Sequence, residues 1–99
     1  MQIEIVEKGN EAELLIEGRL DTSTARDASA VFEDAANRFD KVTLNMKELT
    51  YCSSAGIRAI RQLYKMLKAK NGKMETVSVS DQVMSIFEMT GVTALLSLK

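Results

Sequence analysis

The sequence predicts one α/β domain spanning residues 1–99. It is built on a mixed sheet of four to five strands, an initial hairpin followed by βα units, with the helices mainly on one face. Three observations predict this. Two alternating runs separated by a short turn open the chain, which is the pattern of a hairpin. Strand-like and helix-like periodicities then take turns, which implies parallel pairings through helical crossovers. The strands alternate in polarity, whereas strands covered on both faces are usually apolar throughout, so one face of the sheet is expected to be open.

The elements follow in order. Gln2 to Glu7 sets Ile3 and Ile5 against Gln2 and Glu4, the period of a half-buried strand. Lys8 to Asn10 is a turn. Glu11 to Glu17 alternates again, with Ala12, Leu14 and Ile16 on one side, and Gly18 is expected to break the strand. Asp21 to Thr24 offers several capping oxygens. Apolar residues at Ala25, Ala28, Phe32, Ala35 and Phe39 then make one face of a helix from Ser23 to Arg38. Lys41 to Met46 is a third strand and Lys47 to Ser53 a loop. A second helix from Ser54 to Lys70 buries Ile57, Ile60, Leu63 or Tyr64, and Leu67. Asn71-Gly72 ends it in a left-handed cap. Met74 to Ser80 is a fourth strand. Asp81 caps a third helix that carries Val83, Ile86, Phe87 and Met89, and Gly91 stops it. Val92 to Lys99 fits a short helix, a final strand, or one after the other.

Composition narrows the chemistry. The chain is 45% hydrophobic and 27% charged, with a formal net charge of −1. That suits a small packed domain and not a nucleic-acid binder, which needs a basic footprint. No apolar run reaches the length of a membrane span, and no signal peptide is read at the start. The single cysteine allows no internal disulfide, and a reducing, cytoplasmic setting is the simplest expectation. There is no histidine. A Ser-His or Cys-His nucleophile pair is thereby excluded within the chain, and a zinc site is not expected. No enzyme activity, cofactor or metal is expected.

The segment Tyr51-Cys52-Ser53-Ser54-Ala55-Gly56-Ile57 concentrates the functional signal. A serine at a helix start is first of all a cap, its hydroxyl accepting from an early helix N–H. A nucleophile elbow is a poor fit, because the G-x-S-x-G glycines are absent. A third reading is a phosphate acceptor, since unpaired N–H groups and the helix dipole favour an anion there. The residues alone leave the cap and the acceptor both open.

Three motifs in order carry a family resemblance over the whole chain. "IEGRLDTSTA" resembles a G-x-(Leu/Ile)-Asp-x-x-(Thr/Ser) segment before a first helix. "VTLNMKELTYCSSAGIRAI" resembles a strand and phospho-site loop. "FEMTGVTALLSL" resembles an aromatic-x-x-(Ser/Thr)-Gly C-terminal segment. Together they resemble the anti-sigma-factor antagonists, single STAS domains of the SpoIIAA type. The resemblance implies a binding module, not a catalyst. In that family the unmodified antagonist binds an anti-sigma factor with serine kinase activity, of the histidine-kinase-like ATPase class, and frees the sigma factor. The kinase then phosphorylates the antagonist and the complex parts, and a PP2C-type phosphatase resets it. Carried onto this chain, the resemblance makes Ser54 the acceptor, with Ser53 second. It makes Asp21 the acidic residue beside that site. Where the family often has aspartate, this chain has Ser53, which removes a charge and adds a hydroxyl. The alternative it leaves is a non-switching STAS scaffold, a subunit of a larger complex such as a lipid or anion transporter.

The expected partner surface comprises Asp21, Thr22, Ser23, Ser53, Ala55, Gly56, Arg58 and Arg61. Ala55 and Gly56 are small enough for another protein to come close. The loop of Asp21 to Thr24 is a cap region that also suits one rim of the surface, if its strand ends at the same sheet edge as Ser54. Arg58, Arg61, Lys65 and Lys68 repeat at helical spacing beside the apolar stripe. They form an ordinary solvated face or a contact for an acidic partner, and Arg58 is placed to reach a phosphate near Ser54. Cys52 reads as a small apolar filler, and the methionines as core, with Met84 and Met89 set apart on an exposed edge.

Overall fold

The computed structural model describes residues 1–98. Strands β1 (Gln2–Lys8) and β2 (Glu11–Leu20) form the antiparallel hairpin, with Ile3 opposite Ile16 and Ile5 opposite Leu14. Helix α1 (Ala25–Arg38) crosses over to β3 (Lys41–Asn45), which lies parallel to β2 with Ala12 opposite Val42. Strand β4 (Leu49–Cys52), helix α2 (Ser54–Ala69), strand β5 (Lys73–Val77) and helix α3 (Asp81–Thr90) complete the domain. The sheet has five strands in the order β1-β2-β3-β5, and β4 pairs in parallel with the far end of β2. This is the expected mixed α/β sheet.

The alternation in the strands builds the core. Ala12, Leu14, Ile16, Val42, Leu44, Met46 and Met74 are all buried. They meet the apolar stripes of the helices in one cluster, with Phe32 from α1, Ile57, Ile60, Leu63 and Leu67 from α2, and Phe87 from α3. Each large side chain buried there stabilises the fold by about 1.5–3 kcal/mol relative to exposure. The in-between positions Glu13, Thr43, Asn45 and Glu75 are only half-buried on the other face. There Asn45 donates to Glu13 at 2.9 Å.

Four local expectations are corrected. Residues 49–52, assigned to a loop, form a strand. Its four residues follow no clean alternation, because only Leu49 and Cys52 are buried. Gly18 does not break β2, which runs on to Leu20. β2 changes partner between Leu15, its last residue paired with β3, and Gly18, its first paired with β4. Gly18 has φ at +99°, and the β2–β4 register slips by one residue at Thr50, opposite the step from Gly18 to Arg19. The final strand ends at Val77, since Ser78 turns out of it at φ +60°. Ser80 and not Asp81 caps α3, its hydroxyl accepting from Val83 N–H at 3.2 Å. Asn71 at φ +61° and Gly91 at φ +73° give the left-handed endings of α2 and α3. After Gly91 comes a short 3-10 turn (Val92–Leu95), and Leu98 then bridges in parallel to Thr76.

Candidate functional site

The site forms where β2 and β4 end side by side. Leu20 is opposite Cys52 in the parallel register. The Ser53 N–H donates to the Leu20 carbonyl at 2.8 Å. The chain therefore leaves β2 into the Asp21 loop and leaves β4 into α2 at one sheet edge. This brings Asp21, Thr22 and Ser23 to the same end of the molecule as Ser53, Ser54 and Ala55.

The two serines have different local duties. Ser53 is the N-cap of α2: its hydroxyl accepts from Gly56 N–H at 3.3 Å and its carbonyl accepts from Ile57 N–H at 2.9 Å. Ser54 is the first helical residue and is exposed, and its hydroxyl has no partner among the described residues. The cap thus occupies one hydroxyl and leaves the next free.

The Asp21 loop is tied internally. The Asp21 carboxylate accepts from the Ser23 hydroxyl at 2.7 Å, from Ser23 N–H at 3.0 Å and from Thr24 N–H at 3.2 Å. The Thr24 hydroxyl accepts from Asp21 N–H and donates to the Arg19 carbonyl, each at 2.9 Å. The Ser23 hydroxyl is the main cause that holds the Asp21 pKa below its ordinary value. The backbone donors act in the same direction, and partial desolvation opposes them. Asp21 therefore stays ionised, and it also pairs with Arg19 at 3.6 Å.

Arg19 was not foreseen as part of this edge. Its guanidinium lies 4.4 Å from the centre of the Tyr51 ring, directly across the β2–β4 pairing. The signal was hidden because recognising it requires β4 to be a strand.

Two residues of the expected partner surface turn out to have internal duties. Gly56 is buried. A Cβ there would stand 2.7 Å from Leu20 Cγ, 2.8 Å from the Leu20 carbonyl oxygen and 2.9 Å from Cys52 Sγ. Its missing side chain lets α2 approach β2 and does not open a path for a partner. Arg61 is half-buried and donates to the Thr90 carbonyl at the end of α3, at 3.4 Å. Lys70 likewise donates to the Ala36 and Phe39 carbonyls at the end of α1. Arg58, Lys65 and Lys68 are the stripe residues left exposed. Cys52 is buried, and burial pushes its thiol up to about 12, so it is an unreactive filler. Met89 is exposed and so lies on the edge of α3 and not with Val83, Ile86 and Phe87, whereas Met84, expected on that edge, is half-buried.

Among the described residues, no group of three His, Cys, Asp or Glu could hold a metal ion. No helix there is long and apolar enough to cross a membrane.

A family model described as the STAS domain matches residues 2–99. Similar solved structures include a putative anti-sigma factor antagonist from Thermotoga maritima, 15% identical, with a TM-score of 0.89 over 97% of this chain and 84% of that one. The anti-sigma factor antagonist SpoIIAA in its unphosphorylated form is 16% identical, with a TM-score of 0.85 over 99% of this chain and 88% of that one. The Bacillus cell fate determinant SpoIIAA in its phosphorylated form is 15% identical, with a TM-score of 0.77 over 99% and 91%. At these identities the likeness is one of fold.

Proposed function

The chain belongs to the STAS domain family, and from that premise we propose that it is an anti-sigma-factor antagonist switched by phosphorylation of Ser54. The unmodified form binds an anti-sigma factor that is also a serine kinase, and this releases the sigma factor. The kinase transfers the γ-phosphoryl group of ATP to Ser54 Oγ; the hydroxyl proton is lost and ADP leaves. A PP2C-type phosphatase returns the hydroxyl. The protein acts by binding in the cytoplasm and catalyses nothing itself.

One observation carries the choice of acceptor. The Ser54 hydroxyl is exposed and unpartnered, while the Ser53 hydroxyl accepts from the helix it caps. The partner surface on this reading is the loop of Asp21, Thr22 and Ser23 together with Ser54, Ala55 and Arg58. Ser53, Gly56 and Arg61 hold it in shape. The switch is electrostatic. A phosphate adds about −1.5 to −2 charges at neutral pH. An interface closed over the start of α2 must bury that charge or part, and each ~1.4 kcal/mol of that conflict is tenfold in affinity.

The test is to incubate the protein with candidate anti-sigma kinases of its own genome and ATP, then map the phosphate by mass spectrometry. Phosphate on Ser54, absent in Ser54→Ala, is the expected result. Ser54→Asp should weaken binding to the same kinase by about tenfold or more. Phosphate only on Ser53, or unchanged affinity of Ser54→Asp, would sink the proposal.

A further inference from the structure

Helices α1 and α2 leave a groove between them. Near the start of α2 lies a cavity of about 290 Å³, walled by the small side chains of Ala25, Ser29, Ala55 and Ala59 and by Gln62. Arg26 from α1 and Arg58 from α2 line the same cavity. The chain has five arginines. Arg19, Arg38 and Arg61 are tied to Asp21, to Glu7 and Asp34, and to the Thr90 carbonyl. Arg26 and Arg58 are both exposed and have no hydrogen bond or ion pair among the described residues. The two uncommitted arginines therefore line one cavity from two different helices, beside Ala55, the residue that follows the proposed acceptor.

We propose that Arg58 and Arg26 form a clamp that holds the phosphate carried by Ser54; the inference rests on Ser54 being the acceptor. Ser54 and Arg58 are four residues apart on α2 and lie on the same face. Side chains on a helix lean towards its N-terminus, so Arg58 reaches back over Ser54. Arg26 closes from α1. Guanidinium groups grip phosphate oxygens through paired N–H donors, which makes two arginines a matched receptor for one phosphate. No carboxylate lines the cavity. Asp21, in the adjoining loop, is already held by Ser23, Thr24 and Arg19. Once clamped, the phosphate ties the two helices together across the mouth of the groove. Modification then gives one fixed arrangement of the partner surface and not merely a mobile charge.

The test installs phosphoserine at position 54 by codon suppression, which needs no kinase. The second ionisation of the phosphate, ordinarily near pKa ~6, is followed by ³¹P NMR titration. It is measured in the otherwise native protein, in Arg58→Gln, in Arg26→Gln, in the double variant, and in Lys65→Gln as a control for the general field of α2. Heteronuclear spectra confirm that each surface variant is folded. The clamp predicts that each arginine variant raises the phosphate pKa, and that the double variant raises it by about half a unit or more, roughly threefold in the ionisation constant. Lys65→Gln should leave it in place. An unchanged pKa in the double variant, or an equal shift from Lys65→Gln, would overturn the clamp. Failure of any kinase to modify Ser54 would instead defeat the proposed switch and leave this titration untouched.

Discussion

Replacing Gly56 by alanine tests how the site is assembled. The added Cβ would stand 2.7 Å from Leu20 Cγ and 2.8 Å from the Leu20 carbonyl oxygen. Unstrained carbon contacts are ~3.5–4.0 Å, so close to 1 Å of room must be made. Leu20 is fully buried and cannot swing into solvent. Its carbonyl also accepts the Ser53 N–H, the bond that sets β2 and the start of α2 side by side. Overpacking of this kind costs about 1–3 kcal/mol. Alanine returns up to about 1 kcal/mol through its higher helix propensity. A clash with both a buried side chain and a backbone carbonyl belongs to the upper part of that range, about 2–3 kcal/mol, so the net loss is about 1–2 kcal/mol, which for a domain of this size is a fall in Tm of about 4–16 °C. Thermal unfolding by circular dichroism measures it, and faster hydrogen exchange at the Ser53 amide locates it. A Tm equal to or above that of the parent would refute the reasoning, because it would mean that the contact between α2 and Leu20 yields without cost.

Three further outcomes are expected. Thr76 is buried in the core, and its hydroxyl has no partner among the described residues. Thr76→Val keeps the shape and removes the orphan, so it should stabilise by about 1 kcal/mol in chemical denaturation; a loss of stability would show that the hydroxyl is satisfied in solution. Asp21 has a folded pKa below its unfolded value, so its contribution is present above the unfolded value near ~3.9 and is lost as pH falls through the folded pKa. Asp21→Asn should therefore flatten the acid side of the stability–pH curve in that window, and an identical curve would count against the loop network. Cys52 should react with a thiol reagent at pH 8 only as fast as the protein opens, because the thiol is buried with its pKa near 12; labelling at the rate of a free peptide would contradict this.

The periodic parts of the fold were legible in the sequence. Ile3 and Ile5 against Leu14 and Ile16 spell the hairpin, and the spacing of Ile57, Ile60, Leu63 and Leu67 spells α2. What escaped was set by tertiary context. Strand β4 is too short to show a period, and its pairing with the far end of β2 slips by one residue at Thr50. Gly18 reads locally as a terminator, yet it is the first residue of β2 to pair with β4. Ser80 and Asp81 are both capping residues, and Ser80 takes the role because its extended backbone sets its hydroxyl against the Val83 N–H. At the site, the pair of serines was visible but their division of labour was not. It depends on which hydroxyl faces the Gly56 N–H. The engagement of Arg61 with Thr90, and the freedom of Arg26, lie between helices and leave no trace in a single segment.

The bond from Ser53 to Leu20 has a consequence for what can be recognised. Asp21 and Ser54 are far apart along the chain and become neighbours only through the β2–β4 pairing. A partner that reads both is reading a discontinuous epitope. A synthetic peptide copied from the Ser54 segment would lack half of it, and so would a nascent chain released before β4 is made. The proposed surface is thus its own certificate of folding, and a regulator that depended on it would respond only to finished molecules.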